Sequence, residues 1–430
     1  MADVTLEIGR MQRFREQALK FLAPAALVIL YLFFGAFGRN YFSYPTMVNI
    51  INNAYYIGFI AMGVTFVIIS GGIDLSIGTV MMASAIIGGT AMKHGLPMVP
   101  SLLLIIVVGT AFGFLNGIMV ARVKMPPFIV TLGTMMISMG LGSIASNVQS
   151  VTFPIRGAPG GWFKSIFLYL SPTGVGFTTG ALLLAIVAVI CHILLSNTKL
   201  GRYTYAIGSN MEAARLSGVD VEKWQMLVYV ITGATAGIGG ISYAAIYTTV
   251  LPAQGQGFEL NAIAAAVIGG TSLAGGVGTI WGTVIGVFIM SVLATGLPSL
   301  NLEAHYQTFF TGVIVIGAVL LDMYRTRKAA EVQIETPADL YRASMLEKIA
   351  ALKQELSSRK AAGDGQQATA IRVQIDSARR DLRVTFSKMK SEEKADRARL
   401  RAEERSADRE MAEALRHKES SPKKEAERRP

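Results

Sequence analysis

Apolar runs of about 20 residues recur along most of this chain, and they limit what it can fold into. A helix of that length crosses the roughly 30 Å hydrocarbon core of a bilayer. Residues 21–322 carry only seventeen Asp, Glu, Lys and Arg side chains. Backbone polar groups in lipid need partners within the chain, and helices provide them. The sequence therefore predicts an all-α, polytopic helical membrane protein.

The hydropathy pattern predicts about ten transmembrane helices between an N-terminal arm at 1–20 and a charged extension at 329–430. The eighth predicted span is short and rich in glycine, so we expect a broken or re-entrant segment there. The predicted spans are 21–38, 54–70, 76–93, 98–121, 126–147, 178–196, 225–247, 260–275, 278–296 and 306–322.

The distribution of Lys and Arg predicts the orientation of these spans. With both termini in the cytoplasm, thirteen basic residues in or beside the membrane domain fall inside and four outside, as the positive-inside rule requires. The four predicted outer residues are Arg39, Lys93, Arg156 and Lys164. The outer end of a helix is the end that this rule places outside the cell.

The sequence offers no pattern typical of a catalytic or metal site. Cys191 is the only cysteine, and the four histidines are widely scattered. No G-x-x-x-x-G-K-[ST] phosphate loop occurs anywhere in the chain, so we expect no ATP hydrolysis by this polypeptide. Its extension mixes acidic with basic residues and lacks an aromatic platform, which argues against a nucleic-acid partner.

Two glycine-rich segments interrupt apolar stretches. The first break is Gly71–Gly78 and contains Asp74; the second break is Gly269–Thr279 and has similar lettering without the acid. A carboxylate at membrane depth is costly and is a functional candidate, but Asp74 could also serve to start the next helix. The similar lettering indicates either an internal duplication, as in many transporters, or a chance match.

A polar segment at 197–224, here called the docking loop, is predicted to face the cytoplasm. Residues 210–215 read NMEAAR and predict a short helix capped by Asn or Ser, and Gly218 is placed to end it. Such a helix suits docking into the groove of a soluble partner. It could equally be an ordinary surface helix.

Four stretches of this sequence resemble the ribose-type, or carbohydrate-uptake, permeases of bacterial ATP-binding-cassette importers. They read GGIDLSIGT at 71–79, LNGIMVARVKMPPFIVTLGT at 115–134, GRYTYAIGSNMEAARLSGV at 201–219 and FELNAIAAAVIGGTSLAGGVGTIWGT at 258–283. They occur in the family's order, and the resemblance runs from about residue 45 to 322. It does not extend to the charged tail.

The resemblance implies a permease homodimer in the inner membrane, two ATPase subunits that bind Mg-ATP, and a periplasmic or lipid-anchored solute-binding protein. This chain would itself hold no cofactor and would move a sugar or sugar-like solute. It also implies that the docking loop faces the ATPase, while Met211 departs from the polar or acidic residue expected there. The residues carried over to this contact are Glu212, Ala213, Ala214, Arg215 and Gly218.

Few fixed charges are available within the spans, so the predicted pathway suits an uncharged polyhydroxyl solute. Polar residues near span ends or breaks are candidates to line it, although each could instead cap a helix or bond to a neighbouring helix. The candidates are Asp74, Asn53, Asn116, Gln254, Glu259 and Asn261. Two alternatives stay open, namely a branched-chain amino acid permease of the same importer class and an ion-coupled secondary transporter.

The C-terminal extension has a different pattern from the rest of the chain. Apolar residues at 345–356 and 371–382 follow helical spacing on either side of Gly363-Asp364-Gly365, which predicts two amphipathic helices that pair as a hairpin or across a dimer. Beyond about Ser391 nearly every residue is charged or Ala. That part is expected to be a lone solvated helix or disordered. Three roles stay open for the extension: a spacer, attraction to a membrane surface through its basic excess, or binding to the ATPase.

Overall fold

The structure is a computed structural model, and it describes residues 23–171, 175–302, 304–330, 337–361 and 365–426. These residues belong to two compact units, one within 14–330 and the other at 331–430. The predicted N-terminal arm at 1–20 lies outside the described residues.

The first unit is a bundle of helices, which confirms the predicted fold class. Its helices are α1 (Ala23–Phe37), α2 (Tyr44–Ile69), α3 (Ile77–Lys93), α4 (Met98–Ala121), α5 (Pro127–Ala145), α6 (Gly180–Asn197), α7 (Lys199–Ser209), α8 (Met211–Leu216), α9 (Val221–Tyr247), α10 (Phe258–Ile268), α11 (Ile280–Ser299) and α12 (Ala304–Ala330).

Six described helices are long and apolar enough to cross a membrane: α2, α4, α5, α6, α9 and α11. Shorter apolar helices are α1, α3, α10 and the part of α12 at 308–324. The figure of ten spans therefore remains a prediction. The prediction of a short eighth span is consistent with α10, which has 11 residues and ends beside the second break.

Helix α2 is the centre of the bundle and packs against α6, α9, α10 and α11. It is apolar on every side, which is typical of a helix surrounded by others. It begins at Tyr44, ten residues before the predicted start of the second span. The hydroxyl of Ser43 caps it, and the polar side chains Asn49, Asn52 and Asn53 in its first turns lowered the hydropathy that set the prediction.

Helices α4 and α9 touch through glycine backbones rather than side chains. A Cβ atom placed on Gly113 would lie 2.3 Å from the carbonyl oxygen of Tyr229. Only glycine permits that approach, and small residues are how membrane helices come this close.

Short antiparallel strands pair the segments that connect the helices at the outer end. Strand β1 (Val151–Thr152) pairs antiparallel with β4 (Thr249–Val250), which directly follows α9. Strand β2 (Tyr169–Leu170) pairs with β3 (Gly176–Phe177), and a 3-10 helix runs from Gly161 to Ile166.

The second unit contains α13 (Pro337–Ala361) and α14 (Gly365–Ala426), which pack against each other. Ile349 of α13 is buried against Ile371, Ile375 and Ala378 of α14. The structure thus shows the hairpin, one of the two predicted arrangements. The predicted turn at 363–365 lies mostly outside the described residues.

Candidate functional site

The docking loop folds as two helices, α7 and α8, joined at Asn210. The Asn210 side chain accepts a hydrogen bond from the amide of Ala213 at 2.9 Å, so it is the cap of α8. Gly218 has φ +82°, a left-handed conformation that favours glycine. The short helix therefore begins and ends as the sequence predicts.

The exposed face of α8 carries both charge and an apolar side chain. The guanidinium group of Arg215 forms a 3.0 Å ion pair with the carboxylate of Glu212, and both side chains are exposed. Leu216 is 88% exposed, unusually high for a leucine. Leu216 is not among the residues predicted from the sequence, although an apolar side chain directly before a Ser-Gly helix end is a signal for it.

Two residues of the docking loop point inward instead. Ala214 is buried with Ile207 and Val221, so it is not available to face a partner as the resemblance implied. The reason is the 100° step per residue of a helix, which turns Ala214 away from the face that carries Glu212 and Arg215. Met211 packs partly against the same small core, which explains an apolar side chain at a position where we expected a polar one.

The first break is held by its own carboxylate. Asp74 is buried, and its Oδ1 accepts hydrogen bonds from the backbone amide of Ser76 at 2.9 Å and from the Ser76 hydroxyl at 2.6 Å. Ser76 stands immediately before α3. These contacts favour the local alternative, in which Asp74 organises the start of the next helix.

The side chain of Asn116 links three helices through hydrogen bonds to Ser76 and Thr134. Its Nδ2 donates to the Ser76 hydroxyl at 2.9 Å, and its Oδ1 accepts from the Thr134 hydroxyl at 2.6 Å. Both amide atoms are thus engaged in joining α4 to α5 and to the start of α3. This arrangement favours interhelical bonding over contact with a solute.

Glu259 is in the first turn of α10 and contacts the end of the first break. Its Oε1 accepts from the Gly257 amide at 2.9 Å, while its buried Oε2 has no hydrogen-bond partner among the described residues. A Cβ placed on Gly78 would be 2.7 Å from that Oε2. Gln254 and Asn261 are half-buried nearby, and neither lines a described cavity.

The second break is bonded to the carbonyl oxygen of the last residue of α2, next to the first break. The amide of Gly276, in the second break, donates a 2.9 Å hydrogen bond to the carbonyl oxygen of Ile69, the last residue of α2 before the first break. Near the end of α12, Asp322 accepts from the Leu273 amide at 3.0 Å and fixes the other side of the second break.

Helix α7 of the docking loop reaches this meeting point. A Cβ on Gly208 would lie 1.7 Å from the Ile69 oxygen and 2.6 Å from the Gly276 nitrogen. The hydroxyl of Tyr205 donates to the carbonyl of Gly278 at 2.7 Å. We call this contact between α7, the end of α2 and the second break the Gly208 junction. No local sequence pattern indicates this junction.

At the outer end, a cavity of about 530 Å³ opens between α2, α9 and α11. Asn53 lines it and bonds on both sides, donating to the Thr295 hydroxyl at 3.1 Å and accepting from the Tyr247 hydroxyl at 2.9 Å. Asp74, Asn116 and Glu259 do not line this cavity. The candidate pathway residues therefore fall into two separate locations.

Below Tyr247, aromatic rings fill the space between α2, α9 and α10. Tyr243 stacks near Tyr247 with ring centres 4.5 Å apart, and Tyr56 lies 5.6 Å from Tyr243 and 5.3 Å from Phe258. Phe258 directly precedes Glu259 in α10. These rings lie between Tyr247 in the cavity wall and the start of α10.

Lys164 links the outer segment, which is the connection between α5 and α6, to Thr248 directly after α9. Its Nζ donates to the hydroxyl of Thr248 at 2.6 Å. Burial, with a smaller effect from the positive charge of Arg156, lowers the pKa of this ammonium group. The outer segment and the cavity wall at Tyr247 are therefore connected.

The chain is similar to known importer subunits over the same residues that form the bundle. Residues 46–319 match the family described as the branched-chain amino acid transport system / permease component. The ribose import permease protein of Escherichia coli strain K12 is 34% identical over 299 residues, 69% of this chain and 91% of that protein. No solved structure matches this chain.

Two further relatives carry other names. The fructose import permease protein of Rhizobium meliloti is 32% identical over 335 residues, 76% of this chain and 91% of that protein. The autoinducer 2 import system permease protein of Yersinia pseudotuberculosis is 33% identical over 302 residues, 70% of this chain and 83% of that protein. Together with the helical bundle, these matches show that the chain belongs to the carbohydrate-uptake permeases of bacterial ATP-binding-cassette importers and is a multi-pass protein of the inner membrane.

Proposed function

We propose that this chain is the membrane-spanning subunit of an ATP-driven importer that moves a sugar or sugar-like solute into the cell as a homodimer. The relatives named for ribose, fructose and autoinducer 2 support the solute class. Separate ATPase subunits bind Mg-ATP and supply the energy. A solute-binding protein delivers the cargo to the outer end, and both termini are cytoplasmic.

The observation that carries the mechanism is the Gly208 junction. The docking loop presents Glu212, Arg215 and Leu216 on the exposed face of α8. Displacement of α8 by an ATPase pulls on α7, because the two helices are joined directly at Asn210. Helix α7 ends against the Ile69 carbonyl and the second break, so its motion acts on both interrupted helices at once.

Breaks are suitable places for such a motion to act. Rigid helices transmit displacement, whereas interrupted segments absorb changes in φ and ψ. The expected result is that α10, which lies between the aromatic rings and the second break, shifts relative to α2 and opens one side of the pathway. ATP binding and release then alternate the open side.

The test is reconstitution of the purified chain with its ATPase and binding protein in vesicles. Radiolabelled D-ribose, D-fructose and D-xylose are offered outside, with ATP enclosed on the ATPase side. We expect ATP-dependent accumulation of one of these sugars and none with the permease alone. Accumulation by the permease alone on a proton or sodium gradient would instead establish the ion-coupled alternative.

A parallel assay separates the two solute classes. L-leucine is offered to the same vesicles under the same conditions, with a binding protein for each class in turn. Uptake of leucine without uptake of any sugar would show that the chain serves branched-chain amino acids.

A further inference from the structure

The outer cavity has the size and chemistry of a small-molecule site. Its volume of about 530 Å³ falls within the range of ligand pockets in proteins, roughly 300–1,000 Å³. Its uncharged polar lining comes from the first turns of α2, the last residue of α9 and the end of α11: Thr46, Asn49, Asn52, Asn53, Tyr247, Thr295 and Ser299.

Asn52 is the unusual member of this lining. Its side chain is only 9% exposed, yet its Oδ1 has no hydrogen-bond partner among the described residues. A buried amide oxygen without a donor is costly and uncommon. This oxygen has almost no accessible surface in this conformation, so a hydroxyl group of a bound solute reaches it as a donor once the Asn52 amide turns toward the cavity.

The neighbouring groups are held in place and suit a sugar. Asn53 is fixed by Thr295 on one side and by Tyr247 on the other, so its amide is oriented before any solute arrives. The Tyr247 ring is 44% exposed. An aromatic face next to amide groups fits a ring compound with C–H bonds on one side and hydroxyls at its edge.

The charge of the lining distinguishes between solute classes. Arg39 is the only charged residue in the lining that the structure describes, and no carboxylate faces the cavity there. An amino acid brings an ammonium group that needs an anionic or acceptor-rich partner when it leaves water. A neutral monosaccharide has no such requirement.

We propose that the permease itself binds a monosaccharide in this outer cavity, where the Asn52 amide turns so that its Oδ1 accepts a hydrogen bond from a sugar hydroxyl and Asn53 and Tyr247 form the rest of the site. The proposal rests on the proposed function and adds a solute site on the membrane subunit. Solute released by the binding protein pauses here before the aromatic rings below Tyr247 move aside.

The experiment uses the full-length chain in lipid nanodiscs without its binding protein. The sugar that the reconstituted importer accumulates is added as probe, and binding is followed by saturation-transfer NMR and equilibrium dialysis. We expect saturable binding that excess L-leucine does not compete away. Asn52→Leu, of similar size without the acceptor, should weaken binding about tenfold, because a hydrogen bond to a buried group contributes on that scale.

Two further variants separate loss of the acceptor from loss of the fold. Asn52→Ser keeps an oxygen acceptor and should bind more tightly than Asn52→Leu. Gln149→Leu changes an exposed glutamine that follows α5 and does not line the cavity, and it should bind as the unchanged protein does. All variants are compared for thermal unfolding and elution volume.

The results separate this inference from the function that underlies it. ATP-driven sugar uptake by the complete importer together with no saturable binding by the permease alone would overturn the cavity proposal and leave the function intact. Equal affinities for the unchanged chain and Asn52→Leu would overturn it as well. Absence of sugar uptake by the complete importer would overturn the proposed function first.

Discussion

The backbone amide of Gly276 donates a 2.9 Å hydrogen bond to the carbonyl oxygen of Ile69, and this contact joins two helix interruptions that lie about two hundred residues apart in sequence. Gly208 of the docking loop packs on the same carbonyl. Three segments that differ in sequence position and in predicted role therefore share one contact point.

Substitution at the Gly208 junction should uncouple the docking loop from the breaks. In Gly208→Ala, the new Cβ would stand 1.7 Å from the Ile69 oxygen, so α7 must move away from α2. We expect sugar uptake to fall at least tenfold, with thermal stability reduced by about 1–3 kcal/mol. Gly140→Ala on α5 has open space around its Cβ and is the matched control. Normal uptake in both variants would remove the junction from the mechanism.

The exposed leucine of α8 should be an anchor for the ATPase. Leu216→Asp places a charge where an apolar side chain is expected to enter a recess of the partner, and we expect ATPase binding to weaken by about tenfold or more. Pull-down of the ATPase by detergent-solubilised permease measures this directly. The matched comparison uses two alanine variants, Leu216→Ala and Leu182→Ala. Leu182 is a 69% exposed leucine on α6. Alanine is used because Leu182→Asp would place a charge on the lipid face. Equal ATPase binding by the two alanine variants would contradict the assignment.

Glu212 and Gly218 should both contribute to the contact between α8 and the ATPase, Glu212 by its charge and Gly218 by its backbone conformation. Glu212→Ala removes a charge that pairs with Arg215, an exposed pair with little effect on folding. Gly218→Ala strains a backbone position with φ +82° and should shift the end of α8. We expect both variants to insert and to hydrolyse ATP with the partner while uptake per ATP decreases. Full uptake with full ATPase stimulation in both would show that these residues do not couple.

Asp74 offers a test of charge against geometry. Its Oδ1 accepts two hydrogen bonds from Ser76, and an amide oxygen can do the same, so Asp74→Asn should keep the fold and most of the uptake. Asp74→Ala should lose about 1–2 kcal/mol of stability, as for other caps at helix starts. Thermal unfolding in detergent and vesicle uptake are measured for both. A stable Asp74→Asn protein with no uptake would assign the negative charge itself to transport.

The C-terminal unit should be dispensable for insertion and basal uptake. Its helices α13 and α14 have a hydrophobic core of their own around Ile349 and Ile371. Deletion of residues 331–430 is therefore expected to leave a protein that inserts and transports when reconstituted. The same deletion combined with Gly140→Ala serves as a check on expression level. Loss of membrane insertion on deletion would show that the bundle depends on the extension.

Sequence alone determined the features of this protein that depend on neighbouring residues. Long apolar runs required membrane helices because a bilayer admits few other structures. The cap at Asn210 and the helix end at Gly218 were predictable because capping involves side chains within about one turn of each other.

Tertiary structure decided everything that depends on helices meeting. Asn52 and Tyr247 come from α2 and α9, and no local pattern places them in one cavity. The contact between Gly208 and Ile69 likewise depends on how α7 packs against α2, and glycines that permit close approach look the same in sequence as those in open space, such as Gly140. Whether a polar residue is satisfied by a neighbouring helix, as Asn116 is, or left without a partner, as the Asn52 oxygen is, follows from packing between distant segments.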